Sequence, residues 1–353
     1  MANAVPNRVL SVDEATARLT TPTADLDIGV LRDLTLLIVD DAHLLPPEAA
    51  ASLARLPIVS IGLAAPGTAP AFDMLVEDAV DAVRIANGVA GAPRAALACC
   101  QVLRHGEGLD TPAGLLLEST AYGTLQAGAE FAGWLEGRGR RVRPVESNPP
   151  VLVDADDDTV TLTLNRPRLR NAFSAAMRDA LVEALRPLVA PDDRRQVLLT
   201  GRGPAFCCGG DPAEFGTVAD PVAAHLIRSS ANAAPWLDLL AERLTVRVHG
   251  PAVGAGVELA AFAGRLEATG SATFCLPEVS MGLMPGAGGT VSIPRRIGRQ
   301  QTAWMCLTGA TIDQTRSKFI EIWINGDEGE LNIDLGSITE DVNGNNIYDS
   351  EDD

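Results

Sequence analysis

Apolar residues fall into short runs near the N-terminus of the chain and into longer periodic stretches after them. The runs 34–40 (LTLLIVD) and 56–64 (LPIVSIGLA) are short and rich in aliphatic and β-branched residues, as buried strands are. Helical patterns follow over 79–105 and 109–140. Strands succeeded by helices predict a layered α/β unit over residues 1–146.

A second set of patterns follows a linker at 145–150, where Ser-Asn-Pro-Pro cannot continue a helix. Strands are predicted at 159–167 (TVTLTLNRP), 196–201 (QVLLTG) and 244–251 (LTVRVHGP). Residues 174–188 place their apolar side chains on one helical face. We expect each strand to end in a turn of small residues that opens a helix.

The character of the sequence changes abruptly near residue 315. From residue 318 onward there is no alanine, proline, cysteine or arginine, and isoleucine, asparagine and acidic residues take their place. The change indicates a join to an unrelated coding sequence. The chain therefore divides into an N-terminal region (1–146), a core region (151–313) and an acidic tail (315–353).

Composition indicates a globular protein with an aliphatic core, because 46% of the 353 residues are hydrophobic and only 4% are aromatic. The net charge is −18, and −10 of it falls in residues 318–353, so we expect no nucleic acid partner. No apolar run reaches the roughly 18 residues that span a bilayer. The N-terminus also lacks the pattern of a secretion signal, and we expect a cytoplasmic protein without a membrane partner.

The six cysteines predict neither disulfides nor a metal site. Their spacing is not that of metal ligands, and a reduced chain is the simpler interpretation. They are Cys99, Cys100, Cys207, Cys208, Cys275 and Cys306.

Two glutamates, Glu258 and Glu278, stand in a stretch (250–290) composed mainly of glycine, alanine and aliphatic residues. Carboxylates in semi-apolar surroundings either pair with a partner or take part in chemistry. A plainer interpretation is that Glu258 caps a helix starting at Val257 and that Glu278 is an ordinary loop acid.

Two turns of small residues, 205–211 (AFCCGGD) and 251–258 (PAVGAGVE), follow predicted strands. Unpaired backbone N–H groups at such turns receive anionic oxygens. If the two turns face each other across a cleft, one N–H from each can hold a developing oxyanion. Small residues at these turns also serve packing alone, and that alternative stays open at this stage.

Five segments of the core region, taken together, resemble the crotonase superfamily, the family of enoyl-CoA hydratases and isomerases. In order along the chain they are LNRPRLRNAFS, GRGPAFCCGGD, VHGPAVGAGVELA, FCLPEVSMGLMPGAGGT and LTGATID. The resemblance covers about residues 151–313. It implies a superhelix of stacked ββα turns, a coenzyme A thioester as substrate, no separate cofactor and a homotrimer or homohexamer.

The resemblance also implies roles for individual residues. The backbone N–H groups of Gly210 and Ala255 would form the oxyanion hole. Glu258 and Glu278 would act as base and acid when water adds to a trans-2-enoyl-CoA, a lyase reaction of fatty acid metabolism that gives 3-hydroxyacyl-CoA. Further substrate or coenzyme A contacts are implied at Cys208, Gly209, Asp211, Gly254 and Arg170. An enoyl-CoA isomerase, another crotonase-type acyl-CoA reaction and an inactive, truncated scaffold remain as alternatives.

The chain departs from the family where helices should close the site after LTGATID, because the acidic tail follows instead. Residues 93–140 resemble the helical end of a crotonase domain, and we interpret the N-terminal region as an eroded first copy. A weak candidate calcium loop lies in the tail, with Asn346 where such loops place glycine. Its ligands would be Asp341, Asn343, Asn345, Asp349 and Asp352.

Overall fold

The structure is a computed structural model. It describes residues 9–24, 28, 36–139, 148–218 and 220–313, which belong to one compact unit, Met1–Arg316. The candidate calcium loop, from Asp341 to Asp352, lies outside the described residues, and so do residues 145–147 of the predicted linker.

The N-terminal region begins with a parallel sheet of four short strands in the order β1-β2-β3-β4. The strands are β1 (Val9–Leu10), β2 (Leu36–Val39), β3 (Val59–Leu63) and β4 (Met74–Val76), with helices α1 (Val12–Leu19) and α2 (Pro47–Leu53). Strands β2 and β3 lie within the two predicted runs. Their residues are nearly all buried, as expected for a parallel sheet covered on both faces. The prediction of a mixed α/β region is confirmed.

Four helices complete the N-terminal region, whereas each of the two long helical patterns predicts a continuous stretch. The helices are α3 (Ala79–Gly91), α4 (Pro93–Gly106), α5 (Thr111–Gln126) and α6 (Ala129–Arg138). The first pattern breaks at Ala92, which adopts φ −150° and ψ 66°. Helical geometry is disfavoured for a residue that precedes a proline, and Pro93 has no N–H to donate. Pro93 therefore begins a new helix instead of continuing the old one.

The core region is built on a five-stranded sheet in the order β10-β8-β7-β6-β5, with only the β5–β6 pair antiparallel. The core region also contains a three-stranded sheet in the order β12-β11-β9. The strands are β5 (Val151–Ala155), β6 (Thr159–Leu164), β7 (Gln196–Gly201), β8 (Leu244–Val248), β9 (Pro251–Val253), β10 (Arg265–Ala268), β11 (Thr273–Cys275) and β12 (Ile312–Asp313). The helices are α7 (Ala175–Leu185), α8 (Pro221–Ser230), α9 (Ala234–Leu239), α10 (Ala255–Ala260), α11 (Gly289–Ser292) and α12 (Pro294–Thr308).

The segment 244–251, predicted as one strand, is divided between the two sheets at Gly250. This glycine has φ +56°, and a Cβ at its position would collide with the carbonyl oxygen of Pro204. Only glycine fits so tight a turn with a left-handed backbone. The turn moves the chain from β8 in the large sheet to β9 in the small one, next to the candidate oxyanion turn.

One hydrophobic cluster spans the N-terminal and core regions, and a second, smaller cluster lies within the N-terminal region. Helix α4 packs against α12, and α5 packs against α8. Three buried thiols lie at the α4–α12 contact, Cys99 and Cys100 on α4 and Cys306 on α12. Helices α3 to α6 are therefore integral to the shared cluster, whereas α1 and α2 contribute to the smaller one. The domain boundaries and the eroded first copy stay predictions.

The side chain of Asn171 joins the backbone at Arg166 to the segment 202–206 through hydrogen bonds, and its replacement should destabilise the fold strongly. Its buried Nδ2 donates to three carbonyl oxygens, those of Arg202, Ala205 and Phe206, at 2.9–3.0 Å, and its Oδ1 accepts the N–H of Arg166. We expect Asn171→Ala to lower the free energy of unfolding by about 3 kcal/mol or more, because each buried polar group left unpaired costs about 1–3 kcal/mol.

Chemical denaturation of the purified variant measures this loss. The control is Asn232→Ala, because Asn232 is half-buried and its Oδ1 accepts one backbone N–H, that of Ala234. We expect that control to cost about 1 kcal/mol. Equal losses for the two variants would contradict the role given to Asn171.

Candidate active site

The two turns of small residues lie side by side in the structure. Cys207 N–H donates to Pro251 O at 3.3 Å, and Val253 N–H donates to Cys207 O at 2.9 Å. A Cβ at Gly256 would collide with Cys207 O, so this glycine allows the start of α10 to approach the first turn. The two turns are therefore direct neighbours, and the oxyanion hole stays a prediction.

The N–H groups of Gly210 and Ala255 donate to no described group. Phe173 N–H donates to Gly209 O, and Asp211 N–H donates to Phe173 O. Because N–H groups alternate in direction along extended backbone, the N–H of Gly210 faces away from Phe173. Ala255 is the first residue of α10, where an N–H has no acceptor within its own helix.

The expectation that both turns open a helix is wrong for the first of them. After Gly210 the chain continues through further turns to Gly216, and the next helix, α8, begins only at Pro221. The N–H of Gly210 is thus left free by its bridge to Phe173 and not by a helix terminus.

Both N–H-bearing residues line a cavity of about 250 Å³. The candidate residues Asp211, Glu258 and Glu278 line it as well. The N-terminal region contributes side chains from two of its helices to the same wall, namely Tyr122 and Gln126 of α5 and Phe131 of α6. The other lining residues that matter here are Phe173, Ala175, Arg178, Glu214, Phe215, Arg228, Gly286 and Ala287.

Glu258 reaches across the cavity wall and does not cap its own helix. Helix α10 begins at Ala255, two residues before the predicted Val257, and Glu258 is 2% exposed. Its Oε2 accepts the N–H groups of Ala287 and Gly289 at 2.7 and 2.9 Å. The capping interpretation is therefore wrong. Burial, and then the negative charge of Glu278, raise the pKa of Glu258 well above its ordinary value.

Glu278 is the first residue of the short 3₁₀ turn Glu278–Met281. Its Oε1 lies against the backbone of Gly254, where an added Cβ would collide with it. Its Oε2 is buried and has no hydrogen-bond partner among the described residues. Burial raises the pKa of Glu278 to about 7. An unpartnered carboxylate oxygen beside a cavity is costly for stability and available for proton transfer.

A further buried carboxylate next to this site, that of Glu118 on α5, was not predicted from the sequence and is not among the residues that line the cavity. It is 1% exposed, and its oxygens accept hydrogen bonds from Gly288 N and Thr290 N at 2.8 and 2.9 Å and from Thr290 Oγ1 at 2.7 Å. Burial raises the pKa of Glu118 to about 7. One sequence signal was available, because Glu118 is the only charged residue between Asp110 and Glu130.

The sequence analysis also did not predict that Tyr122 and Arg228 lie at this site. The ring of Tyr122 lies so close to Gly286 that a Cβ there would collide with it. The guanidinium of Arg228 lies 3.9 Å from the centroid of that ring, and its Nη2 donates to Gln126 Oε1 at 2.8 Å. These contacts join α8 of the core region to α5 of the N-terminal region along the cavity.

The remaining predicted contacts lie apart from the cavity or already have partners. Asp211 forms a buried ion pair with Arg166 at 2.9 Å and accepts the N–H of Ala213, which fixes the turn. Arg170 is exposed and stands in a left-handed conformation (φ +51°), and it does not line the cavity. Nor do three of the small residues of the turns, Cys208, Gly209 and Gly254. Their roles toward a substrate stay predictions.

The described residues form no helix with the length and apolar composition of a membrane span. In the same part of the chain, no three His, Cys, Asp or Glu side chains are grouped so that they could hold a metal ion.

Residues 155–317 match the sequence model of the enoyl-CoA hydratase/isomerase family. A Bacillus subtilis protein named enoyl-CoA hydratase/isomerase is 34% identical over 160 residues, which is 45% of this chain and 62% of that protein. A Mycobacterium leprae protein named enoyl-CoA hydratase is 33% identical over 170 residues, 48% of this chain and 65% of that protein. The chain thus spans a little under two thirds of the length of these relatives.

A solved structure from Geobacillus kaustophilus, described as an enoyl-CoA hydratase subunit, is 31% identical, with a TM-score of 0.43. The matched part covers 46% of this chain and 63% of that one. The residues that match the family's sequence model include the two turns and the two glutamates.

Proposed function

We propose that this chain, whose residues 155–317 belong to the crotonase superfamily, is an acyl-CoA enzyme that adds water across the double bond of a trans-2-enoyl-CoA. The observation that carries the proposal is that Gly210, Ala255, Glu258 and Glu278 line one cavity. The N–H groups of the first two donate to no described group. Coenzyme A enters as part of the substrate, and no separate cofactor is proposed.

The two N–H groups would bind the thioester carbonyl oxygen. When a water oxygen bonds to C3 of the enoyl group, electrons move toward that carbonyl oxygen and an enolate forms. Two fixed N–H donors stabilise this charge, an effect that is typically worth 10²–10³-fold in rate for a single donor. Their positions are set by the bridge at Phe173 and by the start of α10.

The two carboxylates would move the protons. One takes a proton from the attacking water, and the other gives a proton to C2, so that the product gains one complete water molecule. Burial raises the pKa of both groups, and the charge of Glu278 raises that of Glu258 further. Such a pair holds one proton between its members near neutral pH. A base and an acid are then available in the same site.

The N-terminal region would provide the closing wall that the family builds with helices after the core. Tyr122, Gln126 and Phe131 line the cavity from α5 and α6. Their position supports the proposal that helices of the N-terminal region take the place of the family's closing helices. We also propose the stacked ββα superhelix for the core region and the eroded-copy origin for the N-terminal region. A homotrimer or homohexamer remains part of the proposal.

The test is hydration of crotonyl-CoA. We expect the purified chain to remove the ultraviolet absorbance of the enoyl thioester and to form 3-hydroxybutyryl-CoA, identified by chromatography. A folded protein that leaves crotonyl-CoA and longer enoyl-CoA thioesters unchanged would overturn the proposal and favour an inactive scaffold.

An isomerase is the second candidate, because the Bacillus subtilis relative is named for both reactions. In that reaction a carboxylate removes a proton from C2 of a 3-enoyl-CoA and a proton is returned at C4, with no water consumed. Formation of the conjugated thioester from trans-3-hexenoyl-CoA, at a higher kcat/KM than hydration of trans-2-hexenoyl-CoA, would favour this candidate.

A further inference from the structure

Four consecutive backbone N–H groups, those of residues 287–290, alternate between two carboxylates. Glu258 accepts from Ala287 and Gly289, and Glu118 accepts from Gly288 and Thr290. The two glutamates come from different regions of the sequence and approach this segment from two helices, α10 and α5. Segment 287–290 is therefore held between them.

Both oxygens of the Glu118 carboxylate accept hydrogen bonds from this segment. The hydroxyl of Thr290 adds a third hydrogen bond to the same carboxylate, and Glu118, Thr290 and Gly289 are all buried. The segment has little freedom to shift, because a Cβ at Gly289 would collide with the side chain of Glu258 and a Cβ at Gly288 would collide with Phe262. Any movement of α5 would be transmitted through these contacts to the Glu258 carboxylate.

We infer that Glu118 is a positioning residue, which holds segment 287–290 so that the carboxylate of Glu258 stays in place for the reaction. The inference rests on the proposed function. Glu118 lies outside the segment that matches the family, residues 155–317. Through Glu118 the N-terminal region would contribute to the active site as well as to packing.

Glu118 also acts on the site through its charge. It raises the pKa of Glu258 and of Glu278, in each case after the larger effect of burial. Other charged or titratable groups close to it are Arg228 and His225 on α8 and Tyr122 on α5. Arg228 lowers the pKa of Glu118. His225 is hydrogen-bonded to Ser119, the residue after Glu118 in the sequence. A neutral side chain at position 118 should therefore shift the pH profile of the reaction toward lower pH.

The experiment compares Glu118→Gln with the matched control Glu130→Gln. Glu130, also in the N-terminal region, accepts two backbone N–H groups, those of Arg94 and Ala95, but makes no hydrogen bond to segment 287–290. We expect Glu118→Gln to lower kcat for enoyl-CoA hydration about 10- to 100-fold with KM little changed, because a misplaced catalytic group costs that much. Both limbs of its pH profile should move to lower pH. Glu130→Gln should keep kcat within about twofold and leave the profile unmoved.

Two additions separate this inference from the proposed function and from simple misfolding. Hydrogen exchange of the amides of residues 287–290, read by mass spectrometry, should quicken in Glu118→Gln and not in Glu130→Gln, whether or not the chain hydrates any substrate. Thr290→Val removes only the hydroxyl contact to Glu118, and we expect a smaller fall in kcat in the same direction.

If the wild type is inactive but the exchange difference is present, the proposed function fails, and with it the role in the reaction, while the hold of Glu118 on segment 287–290 stands. If the wild type is active and Glu118→Gln matches Glu130→Gln in kcat, pH profile and exchange, the positioning role is overturned.

Discussion

Glu258→Gln and Glu278→Gln should each lower kcat for hydration of crotonyl-CoA by about 10³-fold or more. An amide neither takes a proton from water nor gives one to C2, and a positioned general acid or base contributes about 10²–10⁴-fold. Stopped-flow or long steady-state absorbance measurements cover that range. The control is Glu267→Gln, because Glu267 lies in the same stretch of sequence and forms a partly exposed ion pair with Arg247 at 2.9 Å. It should change kcat less than about twofold.

The two variants should differ in stability, and this difference separates lost chemistry from a lost fold. In Glu258 one oxygen accepts both backbone N–H groups, so the carbonyl oxygen of glutamine can take its place. In Glu278 the buried Oε2 has no described partner, so replacing the carboxyl removes a buried charge. We expect Glu278→Gln to be as stable as the wild type or more stable, as is common when a strained active-site group is removed.

The extra stability of Glu278→Gln depends on pH in a defined direction. The pKa of Glu278 is about 7 in the folded chain, above its ordinary value of 4.5. Between these two values the folded wild type binds more protons than the unfolded chain, so its free energy of unfolding falls as pH rises. The advantage of the glutamine variant should thus be absent below about pH 4.5 and complete above about pH 7. An advantage that shrinks as pH rises would contradict the raised pKa.

Gly254→Ala should lower kcat by about 10²–10³-fold. Gly254 has φ +49° and ψ −118°, a conformation open essentially only to glycine, and a Cβ there would collide with Glu278 Oε1. The residue also directly precedes the N–H of Ala255. Relief of the collision must move the donor, the carboxylate or both, and loss of one oxyanion donor alone costs about 10²–10³-fold.

Gly270→Ala is the control for this substitution. Gly270 has no positive φ, and a Cβ there meets no heavy atom within 4 Å. Its kcat should equal that of the wild type within about twofold. A Gly254→Ala variant with unchanged kcat and an unchanged affinity for the thioester would show that this turn does not hold the reacting carbonyl.

The sequence was most informative where one short segment carries both the pattern and the chemistry. Strand β7 coincides with the predicted 196–201, and the turns at 205–211 and 251–258 are hydrogen-bonded neighbours. These features depend on local rules such as strand alternation and glycine at close backbone contacts. They are visible without knowledge of the rest of the chain.

What the sequence could not predict depends on contacts between distant segments. Glu118 bonds to Thr290, 172 positions away, and no local pattern relates the two residues. The same holds for Arg228 on Tyr122. The division of 79–105 at Ala92 was readable from Pro93, but the strong helical periodicity on both sides concealed it. The interpretation of Glu258 as a helix cap was wrong because its carboxylate accepts hydrogen bonds from the backbone N–H groups of Ala287 and Gly289, which lie outside its own helix.

The three buried thiols between α4 and α12 give the chain an internal reporter. Cys99 and Cys100 belong to the N-terminal region and Cys306 to the core region, and all three are shielded from solvent as long as these helices stay together. A thiol reagent can modify them only when the contact opens, so the alkylation rate measures how often the two regions separate. Cys208 and Cys275 are partly exposed and would react without such opening. Peptide mapping of the alkylated chain can thus time the separation of the two regions without any engineered cysteine.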